Sequence, residues 1–358
     1  MRKVERTNAM EEKDKQAEGF VDFAEIKVDG KQSPLRIDKF LNIRLQLSRN
    51  RIQEVIKAGN VTVDDKAVKA NHKVKPGELI KVSLPRFYDE TLPLLPEDIP
   101  LDIRYEDDHL LVLHKPYGLV VHPGVGNWTG TLANALSFHF GESLPVLEGN
   151  SHNRIGLVHR IDKDTSGLMV VAKSELAMTH LAKQFFDHTI DRTYYALVWG
   201  DVEDDQGTIS NHIGRDDRQP RINRVYPEGE SGKWAVTHYE VVERLYYTTL
   251  VKCKLETGRT HQIRVHFQHA GHPLFSDKLY GGDKIVKGTV YSKYKQYVEK
   301  IFKALPRQGL HAKSIGFTHP ATGERMFFES DLPADMEEAL NMWRAYVAQR
   351  KAGKKNMP

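Results

Sequence analysis

Cysteine is almost missing: Cys253 stands alone among 358 residues. No internal disulfide can form, which fits a protein kept in the reducing cytoplasm. No apolar run approaches the roughly 20 residues of a membrane helix. The opening Met1-Arg2-Lys3-Val4-Glu5-Arg6 has no apolar stretch, so no secretory leader is expected either. Glycine-rich phosphate loops and dinucleotide fingerprints are lacking, which argues against chemistry that needs a nucleotide or a nicotinamide. Internal repeats and low-complexity core segments are absent as well.

What is present is a soluble, globular composition, 40% apolar and 28% charged. The length suits one large catalytic domain plus a small module. The net charge of +4 is unevenly spread. Pro34 to Arg86 holds 12 Lys+Arg against 5 Asp+Glu, a local balance of +7 that leaves −3 for the remainder. A basic module on a near-neutral body suggests a binding domain for a polyanion.

The chain divides by pattern into a flexible N-terminal tail over 1–33, a compact unit over 34–86, a linker over 87–100, a catalytic domain over 101–349 and a basic tail over 350–358. In the compact unit, Ile37, Phe40, Leu41 and Leu45 repeat at helical spacing. Ser48 suits the N-cap of a second helix that ends at Gly59. Val61 and Val63, the Asp64-Asp65 turn and Leu79–Val82 read as small strands. Pro93, Pro96 and Pro100 suit an extended linker. Beyond it, strand-like Leu110–Leu113, Gly167–Ala172, Tyr194–Trp199 and Thr248–Lys254 alternate with loops, and helices are expected at Glu175–His188 and Ala334–Gln349. The fold class is therefore α+β: a mixed, mainly antiparallel sheet beside a small α+β module.

Asp162 lies in the most informative segment, Gly156-Leu157-Val158-His159-Arg160-Ile161-Asp162-Lys163-Asp164-Thr165-Ser166-Gly167. A calcium loop would use Asp162, Asp164 and Ser166, but its twelfth position is Lys173 where a bidentate glutamate belongs. A plain turn built on Asp, Thr, Ser and Gly is a second reading, and a catalytic loop is a third. The histidines 261, 266, 269 and 272 invite a zinc reading. On a strand, however, His261 and His266 would face opposite sides, and Cys253 alone gives no thiolate set. No metal is expected.

Two stretches resemble known families. Arg36, Asp38, Lys39, Leu41, Ser48-Arg49-Asn50-Arg51, Ile52, Ile56, Gly59, Val61 and Val63 resemble the alpha-L RNA-binding motif shared with small-subunit ribosomal protein four. Arg49 and Arg51 fall in a first helical turn, where amides and dipole also favour an anion. The segment ending at Asp162 and Thr165-Ser166-Gly167 resembles the signature of the large-ribosomal-subunit pseudouridine synthases. Arg192-Thr193-Tyr194-Tyr195-Ala196 resembles their tyrosine motif, with Arg192 where lysine is usual. Thr257-Gly258-Arg259-Thr260-His261-Gln262-Ile263-Arg264 resembles their third motif, and His114-Lys115-Pro116 and Leu310-His311-Ala312 their flanking strands.

The resemblance implies isomerisation of uridine, without redox cofactor, nucleotide or metal, in structured RNA and most simply in large-subunit ribosomal RNA. It implies that Asp162 attacks the anomeric carbon or abstracts the ribose 2′ proton, that Arg264 pairs with Asp162, and that Tyr194 packs on the extruded base. Arg160, Arg259 and His261 would meet RNA around the site, and Arg36, Lys39, Arg49 and Arg51 would meet phosphates elsewhere. A monomer away from membranes is expected. Two rivals stand: a non-catalytic ribosome-assembly factor, and a glycosidase, for which no second catalytic carboxylate is evident.

Overall fold

A computed structural model describes residues 20–30, 32–45, 49–57, 59–85, 94–124, 127–141, 144–146, 155–219, 221–289 and 291–355. The chain forms two compact units, residues 1–89 and 90–358.

The first unit contains strand β1 (Phe20–Lys27), β2 (Leu35–Arg36), helices α1 (Ile37–Leu45) and α2 (Arg49–Lys57), then β3 (Val61–Val63), β4 (Lys66–Ala67), β5 (Lys73–Val74) and β6 (Leu79–Pro85). Ile37, Phe40 and Leu41 of α1 and Ile52, Val55 and Ile56 of α2 bury one apolar stripe each against Val61, Val63, Ile80 and Val82. Asp64 and Asp65 both take left-handed angles (φ 47° and 62°), which makes the tight turn between β3 and β4. The expected tail over 1–33 needs correction: β1 pairs antiparallel with β6 from Phe20↔Pro85 to Lys27↔Leu79. Ala24 and Ile26 pack on the same core, so this stretch has apolar surface to bury. Ser48 lies outside the described residues.

The second unit begins with Leu94–Pro100, which has no regular structure but is not a free spacer. Leu94 is buried, Asn134 Nδ2 donates to Leu95 O, and Glu97 accepts the Gly130 amide. There follow β7 (Asp102–Glu106), β8 (Leu110–Lys115), α3 (Leu132–Phe140), β9 (Ser166–Ala172), α4 (Glu175–Phe186), β10 (Asp191–Trp199), β11 (Gln206–Arg215), β12 (Asn223–Tyr226), β13 (Lys233–Arg244) and β14 (Thr248–Leu255). The unit closes with α5 (Gln262–His269), α6 (Ser292–Ala304), β15 (Leu310–Thr318), β16 (Arg325–Glu329) and α7 (Ala334–Lys355). Ten strands form one sheet in the order β12-β11-β13-β14-β10-β15-β9-β8-β7, with β16 also on β15. Every named strand pair is antiparallel except β9 with β15, a parallel seam of two pairs, His311↔Ser166 and Ala312↔Gly167.

That seam positions the site. It joins the β7-β8-β9 and β10–β14 halves just after the Asp162 loop. Gly167 has φ +124°, and a Cβ there would stand 2.2 Å from Ala312 O, so only glycine allows the approach. One apolar cluster contains Leu132, Leu136, Met169, Tyr194, Ala196, Val251 and Phe267; a second packs α6 and α7 on Leu197, Trp199 and Leu250. The basic tail expected from 350 is instead helical to Lys355, because the stripe Met336, Leu340, Trp343, Tyr346, Val347 runs on and Arg350 stacks on Tyr246. The His261–His269 stretch is also corrected: α5 occupies it, so the opposite-face argument from a strand does not apply. Among the described residues no helix is long and apolar enough to cross a membrane.

Candidate active site

Asp162 sits where two cavities meet, of about 740 and 500 Å³, and lines both together with Arg160, Ile161, His261 and Arg264. Its loop is held from beneath by two buried cations that bind carbonyl oxygens. Lys115 Nζ donates to Pro116 O, Leu119 O and Lys163 O at 2.8, 2.7 and 3.0 Å. Burial draws its pKa down to about 7, yet three acceptors match the three N–H groups of an ammonium, one more than a neutral amine offers. Arg307 Nη1 donates to Asp164 O at 3.1 Å while Asp335 clamps its other edge. Thr165 N–H closes the turn on Asp162 O.

Arg264, on the first turn of α5 and 4% exposed, is shared by two carboxylates. Its Nη1 donates to Asp162 Oδ2 at 2.8 Å. Nε and Nη2 donate to the two oxygens of fully buried Asp277 at 2.7 and 2.9 Å. The Tyr280 ring lies under the guanidinium, 4.9 Å away. Burial works against the Arg264 charge, but Asp277 and then Asp162 outweigh it, so its pKa is raised. Gln262 fixes the helix start: it accepts from Thr257 Oγ1 and Arg259 N–H and donates to Val236 O.

Tyr194 projects from β10 into the smaller cavity beside Phe185 and Arg192, and burial pushes its hydroxyl pKa up. Arg192 lies 5.5 Å from the Phe185 ring, which stacks on His159. Burial, with Arg192 adding to it, lowers the His159 pKa to about 3, and its Nε2 accepts the Val170 amide. His159 is thus a wall of the site. Arg160 is exposed at the rim. Arg259 binds Trp234 O through Nε while lining the smaller cavity. His261 sits 3.9 Å from Asp162.

The structure thus brings together Asp162, Tyr194, Arg264, Arg160, Arg259 and His261. The other named cations belong to the first unit. Arg36 is engaged twice by buried Asp38, which partly spends its charge, whereas Lys39 is exposed. The side chains of Arg49 and Arg51 lie outside the described residues. Sequence reasoning missed Lys115, Asp277, Tyr280 and Arg307. Of these, Lys115 lay within a flanking-strand motif, while Arg307 lies in 284–309, a stretch between the third motif and the closing strand that by sequence looks like an insertion, either a solvated helix or one whose lysines contact RNA. No group of three or more His, Cys, Asp or Glu among the described residues is arranged to hold a metal ion.

Comparison with known proteins gives the same outline. Residues 109–269 match the family described as RNA pseudouridylate synthase, and residues 35–80 match the S4 domain. An uncharacterised RNA pseudouridine synthase of Chlorobaculum parvum is 43% identical over 88% of this chain and 96% of its own. Ribosomal large subunit pseudouridine synthase D of Neisseria meningitidis is 44% identical over 83% and 75%. The solved structure of human RNA pseudouridylate synthase domain containing 4 shares the fold, with a TM-score of 0.50 and 24% identity over 68% of this chain and 92% of that one.

Proposed function

The chain belongs to the RNA pseudouridine synthase family, and from that premise we propose that it isomerises uridines of large-subunit ribosomal RNA at Asp162. One arrangement carries the reading: a carboxylate held at 2.8 Å by a buried arginine, on a cavity that also presents Tyr194.

The chemistry follows from these positions. Breaking the bond from the uracil nitrogen to the anomeric carbon leaves positive character on the sugar, and an anionic carboxylate beside it lowers that barrier. Asp162 supplies the anion, and Arg264 fixes its direction. The base leaves the stack to reach the cavity, where the Tyr194 ring gives it a face to rest on. It turns and rejoins through carbon 5. Carbon 5 gives up its proton to solvent and the freed ring nitrogen takes one, so the composition is unchanged overall and the reaction needs no cofactor. Arg160 and Arg259 meet the RNA around the extruded nucleotide, and Lys39, Arg49 and Arg51 of the S4 domain add phosphate contacts. In this reading the chain works as a cytoplasmic monomer, and its single, buried thiol suits a reducing compartment.

A non-catalytic assembly factor would have no use for a paired, cavity-facing carboxylate. The two readings part in a tritium-release assay on ribosomal RNA labelled at carbon 5 of uridine. The wild-type protein is expected to release label, and Asp162→Asn to release none while holding RNA in a filter-binding assay. No release from any ribosomal RNA by the wild type would refute the proposal; loss of RNA binding in Asp162→Asn would make Asp162 structural.

A further inference from the structure

His261 sits immediately before α5 in the left-handed region, φ 58°, a conformation uncommon for residues other than glycine. Its Nδ1 lies 2.8 Å from Tyr280 Oη. That oxygen already accepts the Asn223 amide N–H at 3.0 Å. A phenol has one proton to give, and among the described residues His261 Nδ1 is the acceptor it reaches. An imidazole that accepts at Nδ1 carries its proton at Nε2. Tyr280 therefore fixes His261 as a donor whose N–H faces Asp162.

The distance decides what that donor is for. His261 Nε2 and Asp162 Oδ1 are 3.9 Å apart, too far to bond each other. Arg264 holds Oδ2, which leaves Oδ1 facing the cavity. A donor and an acceptor so placed can both reach one oxygen set between them, about 2.8 Å from each. A carbonyl oxygen there would meet the carboxylate's lone pairs, and an N–H could not accept. Water or a hydroxyl does both, and the hydroxyl an internal ribonucleotide offers beside its anomeric carbon is the 2′ one.

We infer that His261 Nε2–H and Asp162 Oδ1 together hold the 2′-hydroxyl of the target ribose. This assignment rests on the uridine-isomerising reading. The hydroxyl donates to Asp162 and accepts from His261, which brings the neighbouring anomeric carbon to the carboxylate. The same pair makes the site select ribose over deoxyribose at the reacting nucleotide. Tyr280 is a positioning residue that acts through His261.

The probe is a synthetic RNA hairpin built around a uridine that the wild-type protein is found to modify. It is tritiated at carbon 5, with either uridine or 2′-deoxyuridine at that one position. Comparing kcat/KM for the two sugars within each variant cancels any loss of folded protein. The wild type is expected to favour ribose by roughly ten- to a hundredfold, the worth of one hydrogen bond to a charged group plus its partner. In His261→Leu the ratio should collapse toward one because the ribose rate falls. His261→Gln, which keeps an N–H donor, should retain part of the preference. Tyr280→Phe, which frees the imidazole tautomer, should lower it with His261 in place. A His261→Leu protein that loses activity equally on both sugars, with the wild-type ratio kept, overturns the assignment. A wild type that modifies no uridine of any ribosomal RNA, so that no such hairpin can be built, overturns the reading beneath it and the assignment with it.

Discussion

Arg264 is held between two carboxylates of different standing: Asp277 is fully buried and takes two of its N–H donors, whereas Asp162 is 21% exposed and takes one. Asp277 thus aims the guanidinium, and Asp162 receives what is left. Asp277→Asn should destabilise the protein by about 3 kcal/mol, since it breaks a buried pair from one side. Isomerisation should fall further than RNA binding; a urea midpoint and a filter-binding assay measure the two. Histidines that burial keeps neutral set the acid limit, and His159 is joined by His311 and His266. His311 bonds Ser166 and Ser330 hydroxyls through both ring nitrogens, and burial lowers its pKa to about 3. Burial likewise lowers that of His266 to about 4. Between pH 6.5 and those values the unfolded chain binds more protons than the folded one, so stability rises with pH there and is lost on acidification. Each histidine contributes a slope of about 1.4 kcal/mol per pH unit. Urea midpoints from pH 7 to 5 should follow that slope, and His311→Gln should flatten it. Asp162, Tyr194 and Arg264 were legible because each lies in a contiguous motif. Asp277 and Arg307 were not: each is a charge in a loop, with partners 13 and 143 residues away.

Among the elements, α4 follows from the spacing of its apolar residues, and β9, β10 and β14 from short β-rich apolar runs, β9 being buried on both faces. The segment Gln262–His269 misleads for a physical reason. Ile263, Val265 and Phe267 alternate as on a strand, and all six residues from Gln262 to Phe267 are buried, so α5 has no polar face to show its period. The left-handed residue before it, His261, also makes no capping side-chain bond. The stretch 284–309 reads as an insertion, yet α6 packs on α7 through Val298, Ile301 and Leu305, and Arg307 just beyond it holds the Asp162 loop. The β9–β15 seam makes the sharpest test at this scale. Gly167→Ala drives a methyl into Ala312 backbone and should cost about 3 kcal/mol, with isomerisation reduced even where the protein remains folded. A wild-type urea midpoint in that variant would count against the seam as the support of the site.

For the whole molecule, charge is partitioned between the two units. Residues 34–86, which contain the S4 domain, have the +7 balance, and Lys39 among them is exposed. Replacing Lys39, Arg49 and Arg51 with alanine should weaken RNA binding and lower the salt slope by about 0.7–0.9 for each phosphate no longer neutralised. The rate at saturating RNA should hold, because the site lies wholly in the second unit. An unchanged slope would take the S4 domain off the RNA.

The seam has a consequence for the order in which the chain becomes an enzyme. Ser166 and His311, which bond across it, are separated by 145 residues. A nascent chain that has reached Tyr280 already has Asp162, Tyr194, His261, Arg264, Asp277 and Tyr280. It still lacks β15, the strand that closes β9 onto β10, and Arg307, which steadies the loop. Loops that long close late. On the proposed reading the carboxylate is armed only when the last strands have been made, and a truncated product of interrupted synthesis should bind RNA without modifying it.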